Sequence, residues 1–205
     1  MNTNFLNSVT NFLKKRTFEF IGLILISMSI GLAIAFTTYS PEDPSFVYGD
    51  REFEIKNFFG IYGSSIADFL LQSFGLVSFL ILANFLFWGI NLIIQKEMKR
   101  IVLKLFLVVS YLVLGTIFIY ITFNNSFWLI DNGNSGFVGK IGYEFLSTWF
   151  PYIDNTYSAY GLLLLTLIFF IFSSDLNVKK IITGTFSLIV SLFRRKEKTI
   201  PNVNL

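Results

Sequence analysis

The side chains that do most enzyme and metal chemistry are missing from this sequence. It contains no His and no Cys, which removes the commonest metal ligand and acid–base group and every thiolate. A hydroxyl nucleophile needs an activating base, and neither Ser27 nor Ser110 has a recognisable one. A phosphate-cradling loop closes on a Lys-Ser/Thr pair; KIITGT at 180–185 lacks both that pair and the loop length. The long apolar runs carry no Asp or Glu, so they offer no intramembrane proton relay or cation site. The cluster RRKEK at 194–198 has the charge to touch nucleic acid, but bases beside a membrane are accounted for by topology. What remains is a chain that anchors, assembles or signals, with no catalytic, cofactor-binding or metal residues of its own.

The elements that would position anything else are membrane helices. The chain is 54% hydrophobic and 14% charged, against about 25% charged in an ordinary soluble domain. Four stretches lack any charge: 20–41, 69–95, 105–130 and 155–174, of 22, 27, 26 and 20 residues. Each is long enough for a helix to cross the hydrocarbon core, which takes about 20 residues. The expected spans are 20–38, 74–94, 101–123 and 157–172. The first is longer than a signal-peptide core and no convincing small-x-small cleavage site closes it, so it is read as retained. Its small residues Ser27, Gly31 and Ala35, spaced by four, would let another helix approach. Asn84 in the second span is expected to hydrogen-bond a neighbouring helix. The expected fold class is an all-α membrane protein.

Charge alternates at every crossing. Lys plus Arg number 3, 2, 4, 1 and 6 in the segments 1–19, 39–73, 95–104, 124–156 and 174–205. The positive-inside bias places both termini and the 95–104 turn in the cytoplasm, and the turn TTYSPEDPSF outside. Tyr39, Trp128, Trp149, Tyr152 and Tyr157 fall near the external ends, where interface-seeking aromatics belong. Two external stretches read as short interfacial or re-entrant helices. In 58–73, Gly60, Gly63, Ser64 and Ala67 line one side, which should pack against the membrane spans; Asp68 should find water or a hydrogen-bond donor, and a bulky change should matter less at Gln72 than at Gly63. In 137–149, Val138, Ile141, Phe145 and Trp149 make one apolar face, stopped near Pro151. The expected organisation is a cytoplasmic segment 1–19, a membrane domain 20–175, and a juxtamembrane segment 176–205. In that last segment, 181–193 reads as a surface helix or a continuation of the fourth span, and the end as linker.

YSPEDPSF at 39–46, with Pro41, Asp43 and Pro44, resembles the external turn after the first membrane helix of FtsK-type DNA translocases, especially those of alphaproteobacteria. NFFGIYGSSIADFLLQSFG at 57–75 is similar to the family's next segment through Asn57, Gly60, Gly63, Ala67, Asp68, Gln72 and Gly75. The piece at 132–139 is similar through Asn132, Gly133, Ser135, Gly136 and Gly139, with Phe137 where the family often has a further Gly. The resemblance runs from about residue 18 to 175. It implies the four-span membrane domain (FtsK/SpoIIIE family) joined by a linker to a hexameric cytoplasmic ATPase that pumps double-stranded DNA at the division septum.

From that resemblance follow several expectations. The chain would sit in the bacterial inner membrane with its two short helices periplasmic, and would anchor the protein at the septum, linking chromosome partition to cell division. Its partners would be membrane lipid and division-machinery proteins, with homo-oligomerisation through the full-length protein. ATP, Mg and DNA belong to the motor, whose motifs these residues lack, making the chain an N-terminal fragment or a truncated product. The alternative from another class is a small four-span transporter or channel subunit, which needs polar groups along a path.

Overall fold

Backbone amides entering hydrocarbon must find partners within their own chain, and the apolar runs meet that demand as helices. The computed structural model describes residues 3–46, 54–126, 128, 129, 131–176 and 183. It contains α1 (Thr3–Thr37), α2 (Gly60–Phe74), α3 (Ser78–Gln95), α4 (Ile101–Phe123), α5 (Gly136–Trp149) and α6 (Thr156–Ser174). A 3-10 turn, Gly75–Val77, joins α2 to α3, and the described residues include no strand. Four helical runs are long and apolar enough to cross a membrane: one each in α1, α4 and α6, and one through α2 and α3. The protein is therefore an all-α, multi-pass membrane protein with two shorter helices, α2 and α5. Residues 176–205 form a separate unit of which Leu176 and Thr183 are described, so the readings of 181–193 and of the linker lie outside the described residues.

Two helices extend past or break near the expected span bounds. α1 starts at Thr3 rather than near Phe20, and its 35 residues measure about 52 Å, well beyond a hydrocarbon core of about 30 Å. Lys14, Lys15 and Arg16 therefore lie within a helix. The second crossing has no loop before it: α2 runs to Phe74 and the chain breaks step only at Gly75.

The crossing helices form two antiparallel pairs. Gly22, Ser29 and Phe36, seven apart on α1, meet Gly89, Leu82 and Phe79 of α3. The backbones are close enough at Gly22 that an added Cβ would stand 2.7 Å from the Gly89 carbonyl oxygen. Ser29 Oγ donates to the Leu82 carbonyl at 2.8 Å, and the Phe36 and Phe79 rings meet edge to face at 5.3 Å. In the second pair, α4 and α6 join through Lys104–Asp175, Tyr111–Phe170 and Gly115–Thr166. Of the small residues spaced by four on α1, only Ala35 is buried, in a cluster with Ala67 of α2. Ser27 is exposed and a Cβ on Gly31 would meet nothing within 4 Å. The real contact uses a seven-residue repeat, which keeps one stripe facing a neighbour over several turns.

A polar ladder ties the pairs together. The buried Asn84 of α3 donates to Tyr111 Oη at 2.7 Å on α4 and to Ser173 Oγ at 3.2 Å on α6. One and two turns along, Trp88 Nε1 donates to the Ser173 carbonyl at 2.7 Å and Asn91 Nδ2 to the Ser174 carbonyl at 3.3 Å. The last carbonyls of a helix have no intrahelical donor. α3 supplies those donors from Trp88 and Asn91, while Asn84 bonds hydroxyls on two neighbouring helices, as expected of it.

Leucine at Gly22 should overpack the α1–α3 contact and lower stability by about 1–3 kcal/mol. Leucine at Gly31 should be neutral or slightly stabilising, since the site is open and Gly is a poor helix former. Thermal unfolding of both variants in detergent checks the order.

Candidate functional site

The end of α1 leaves carbonyls without donors just where the chain turns at Tyr39–Phe46. Thr38 Oγ1 and Thr38 N–H both serve the Ile34 carbonyl, at 2.8 and 3.0 Å. The Ala35 carbonyl takes Asn57 Nδ2 at 2.9 Å, from just before α2. Asn57 is held in turn by Asp43, whose carboxylate accepts the backbone N–H groups of Lys56 at 2.9 Å and Asn57 at 2.8 Å. Asn57 Oδ1 accepts the Phe59 N–H at 3.1 Å, and its backbone carbonyl accepts the Gly60 N–H at 2.9 Å, opening α2. Pro44 is buried and its carbonyl accepts Ser64 Oγ at 2.6 Å, while Pro41 is exposed at the rim. The turn is thus fastened to α2 through side chains on both partners.

A second chain of bonds crosses the same end. Tyr39, 7% exposed, donates its hydroxyl to Asp68 Oδ1 at 3.0 Å and accepts from Gln72 Nε2 at 3.1 Å. Gln72 Oε1 accepts from Asn132 Nδ2 at 2.9 Å, carrying the link from α1 through α2 to the segment before α5. Burial holds the Tyr39 phenol above the usual tyrosine range, so it remains a donor at any physiological pH. Gln72 is therefore a bridging residue, bonded at both ends of its amide. Asp68 finds the donor expected of it.

Glycines let the backbones close up around these bonds. A Cβ at Gly63 would run into Asn57 Oδ1, so this small position admits the capping amide rather than a spanning helix. Gly75 and Gly136 both have positive φ, 55° and 67°, and side chains there would strike the backbone of Asn134 and Ser73 respectively. Gly139 brings α5 against the Thr116 carbonyl of α4. Ala67 is fully buried in a cluster with Ala35, Phe36, Tyr39, Leu71, Leu82 and Leu129. Gly133 donates its N–H to the Leu129 carbonyl at 2.9 Å, and Ser135 Oγ donates to Asn124 Oδ1 at 2.7 Å.

A cavity of about 620 Å³ opens beside this network, walled by Asp43, Ser65, Asp68, Gln72, Asp131 and Asn132. Its carboxylates and amides suit hydrogen-bond donors and cationic groups. Among the described residues no group of three His, Cys, Asp or Glu could hold a metal.

Residues 14–186 match the family described as the 4TM region of DNA translocase FtsK/SpoIIIE. The chain belongs to this family. Among curated relatives it is 31% identical over 90 residues to the DNA translocase FtsK of Azospirillum brasilense, covering 43% of this chain and 14% of that protein. It is 37% identical over 82 residues to that of Rickettsia bellii, covering 40% and 10%. For Rickettsia prowazekii the figures are 38% over 69 residues, covering 34% and 9%. The chain thus spans a small part of the length of these relatives. No solved structure matches it. What it shares with the family is the membrane region, which is not a catalytic part.

In this FtsK-type membrane region, the residues singled out in the sequence lie on three segments meeting at one end: the 39–46 turn, 57–75 and 132–139. The sequence reading missed the side chains that complete the network. Tyr39 and Trp128 pack edge to face at 5.6 Å with Tyr39 buried, while Trp149, Tyr152 and Tyr157 lie exposed. Asn124 and Asn134 also went unnoticed. Asn134 Nδ2 caps α4 by donating to the Phe123 and Asn125 carbonyls at 2.8 Å, and its own carbonyl accepts the Leu76 N–H at 2.8 Å. No periodicity marks a capping Asn in a loop.

Asp43→Ala should strand two backbone N–H groups at a buried site, costing about 1–3 kcal/mol for each donor left unpaired. Glu42→Gln breaks only an exposed pair with Lys56 and should cost well under about 1 kcal/mol. Denaturation of the two variants in detergent separates them.

Proposed function

We propose that this chain is the membrane-anchoring, septum-targeting domain of a DNA translocase that couples chromosome segregation to cell division. The observation that carries the reading is the family match across residues 14–186, joined to a structured polar face made by the family-like segments at one end of the bundle. In this reading the protein sits in the bacterial inner membrane with both termini cytoplasmic. Its membrane domain covers 20–175, with 1–19 and 176–205 on the cytoplasmic side. The polar end faces the periplasm and is the surface offered to division-machinery proteins. Homo-oligomerisation, ATP with Mg, and double-stranded DNA belong to a motor carried elsewhere in such a translocase.

The two short helices support a role at the membrane surface. α2 and α5 turn small residues inward and large ones outward: Tyr62, Ile66 and Phe69 on α2, and Ile141, Phe145 and Trp149 on α5 are exposed. That pattern fits helices lying at the lipid interface. The transporter or channel alternative needs a free polar path. The amides of Asn84 and Asn91 are instead spent on Tyr111, Ser173 and Ser174.

Two experiments test the proposal. Single cysteines at Glu42 and Glu144 should react with an impermeant reagent on intact spheroplasts, and one at Glu97 only after permeabilisation; labelling of Glu97 from outside would reverse the orientation. A fluorescent fusion of residues 1–205 should concentrate at division septa. Uniform peripheral fluorescence in dividing cells would remove the targeting role and leave only the anchor.

A further inference from the structure

The opposite end of the bundle holds a second cavity, of about 600 Å³, within the size range of ordinary ligand pockets. Lys99, Arg100 and Lys104 line it against a single acid, Asp175, giving an excess of two positive charges. Loop bases beside a membrane normally stand in water, but Lys104 is only 6% exposed and is paired with Asp175. Lys99 pairs at the rim with Glu97, at 2.8 Å, and Arg100 has no ion-pair partner among the described residues. The remaining wall is apolar: Leu103, Leu107 and Phe172.

The start of α4 adds a second demand for an anion. Arg100, its N-cap residue, has a left-handed backbone (φ 55°) and makes no side-chain cap bond. The first-turn N–H groups of α4 therefore have no side-chain acceptor from that residue, and a helix start of this kind attracts phosphate. Cations and an apolar wall line one cavity beside the start of α4. We infer that the cavity is a phosphate-binding site, filled by the phosphodiester headgroup of an anionic phospholipid. The headgroup sits against Arg100 and Lys99, and an acyl chain lies along Leu103, Leu107 and Phe172. Arg100 supplies the paired donors that suit phosphate geometry.

The test uses the purified 205-residue chain in zwitterionic detergent, titrated with phosphatidylglycerol, with phosphatidylcholine, and separately with inorganic phosphate, with binding read by native mass spectrometry and thermal shift. Phosphatidylglycerol should bind roughly tenfold more tightly than phosphatidylcholine. Lys99→Gln with Arg100→Gln should abolish that preference, and Lys14→Gln with Lys15→Gln, which removes the same charge from α1, should keep it. If the double variant folds poorly, Arg100→Gln alone should still cut the preference severalfold. Equal binding of the two lipids, or equal loss in both double variants, overturns the site. Inorganic phosphate binding with the same residue dependence, and phosphatidylglycerol binding no better, would keep the phosphate chemistry but overturn the lipid as its source.

Discussion

The carboxylate of Asp43 and the amide of Asn57 hold together the end of the bundle where helices stop and loops begin. In a membrane protein the helices largely satisfy themselves, so the difficult backbone groups are those at helix ends. Asp43 pins the start of α2, Asn57 reaches from there to the open end of α1, and Tyr39, Gln72 and Asn132 extend the connection to the segment before α5. Asn134 does for α4 what Asn57 does for α1. Remove these side chains and three helix ends and two loops lose their partners together.

At the other end the same constraint has a different solution. α6 is capped by Trp88 and Asn91 from α3, while Lys104 folds back on Asp175. The two antiparallel helix pairs make extensive apolar contact within themselves, and polar bonds set how the pairs join. This division of labour suits a membrane. Dispersion packs neighbouring helices well but specifies their register weakly, whereas a buried amide without its partner is costly. A rigid polar face follows at one end and a basic cavity at the other, both fixed by helix ends rather than by helix middles.

Charge-free length made the four crossings legible, because the bilayer imposes it directly. The short helices were legible too: Gly63 with Ala67, and Ile141 with Phe145, carry a helical period. What stayed hidden depended on partners distant in sequence. Ser27, Gly31 and Ala35 have the spacing of a packing motif, yet only Ala35 is buried and Gly22 and Ser29 make the contact with α3, since only the position of α3 decides which stripe it covers. Gln72 looked replaceable because its two bonds go to residues 33 and 60 positions away. Tyr39 looked like a membrane-interface residue because its composition suits both that role and a buried hydrogen-bond hub. The 57–75 resemblance was informative where periodicity was not, marking Asn57 and Gln72 without saying what they bond.

A double-mutant cycle between Gln72 and Asn132 tests the central claim most directly, because it isolates the bond that carries the network from α2 to the segment before α5. Unfolding free energies in detergent for Gln72→Leu, Asn132→Leu and the double variant should show a coupling of at least about 0.5 kcal/mol, the double costing less than the sum of the singles. Strict additivity would mean that the two side chains do not depend on each other, and the polar end would then not be the single connected structure described above.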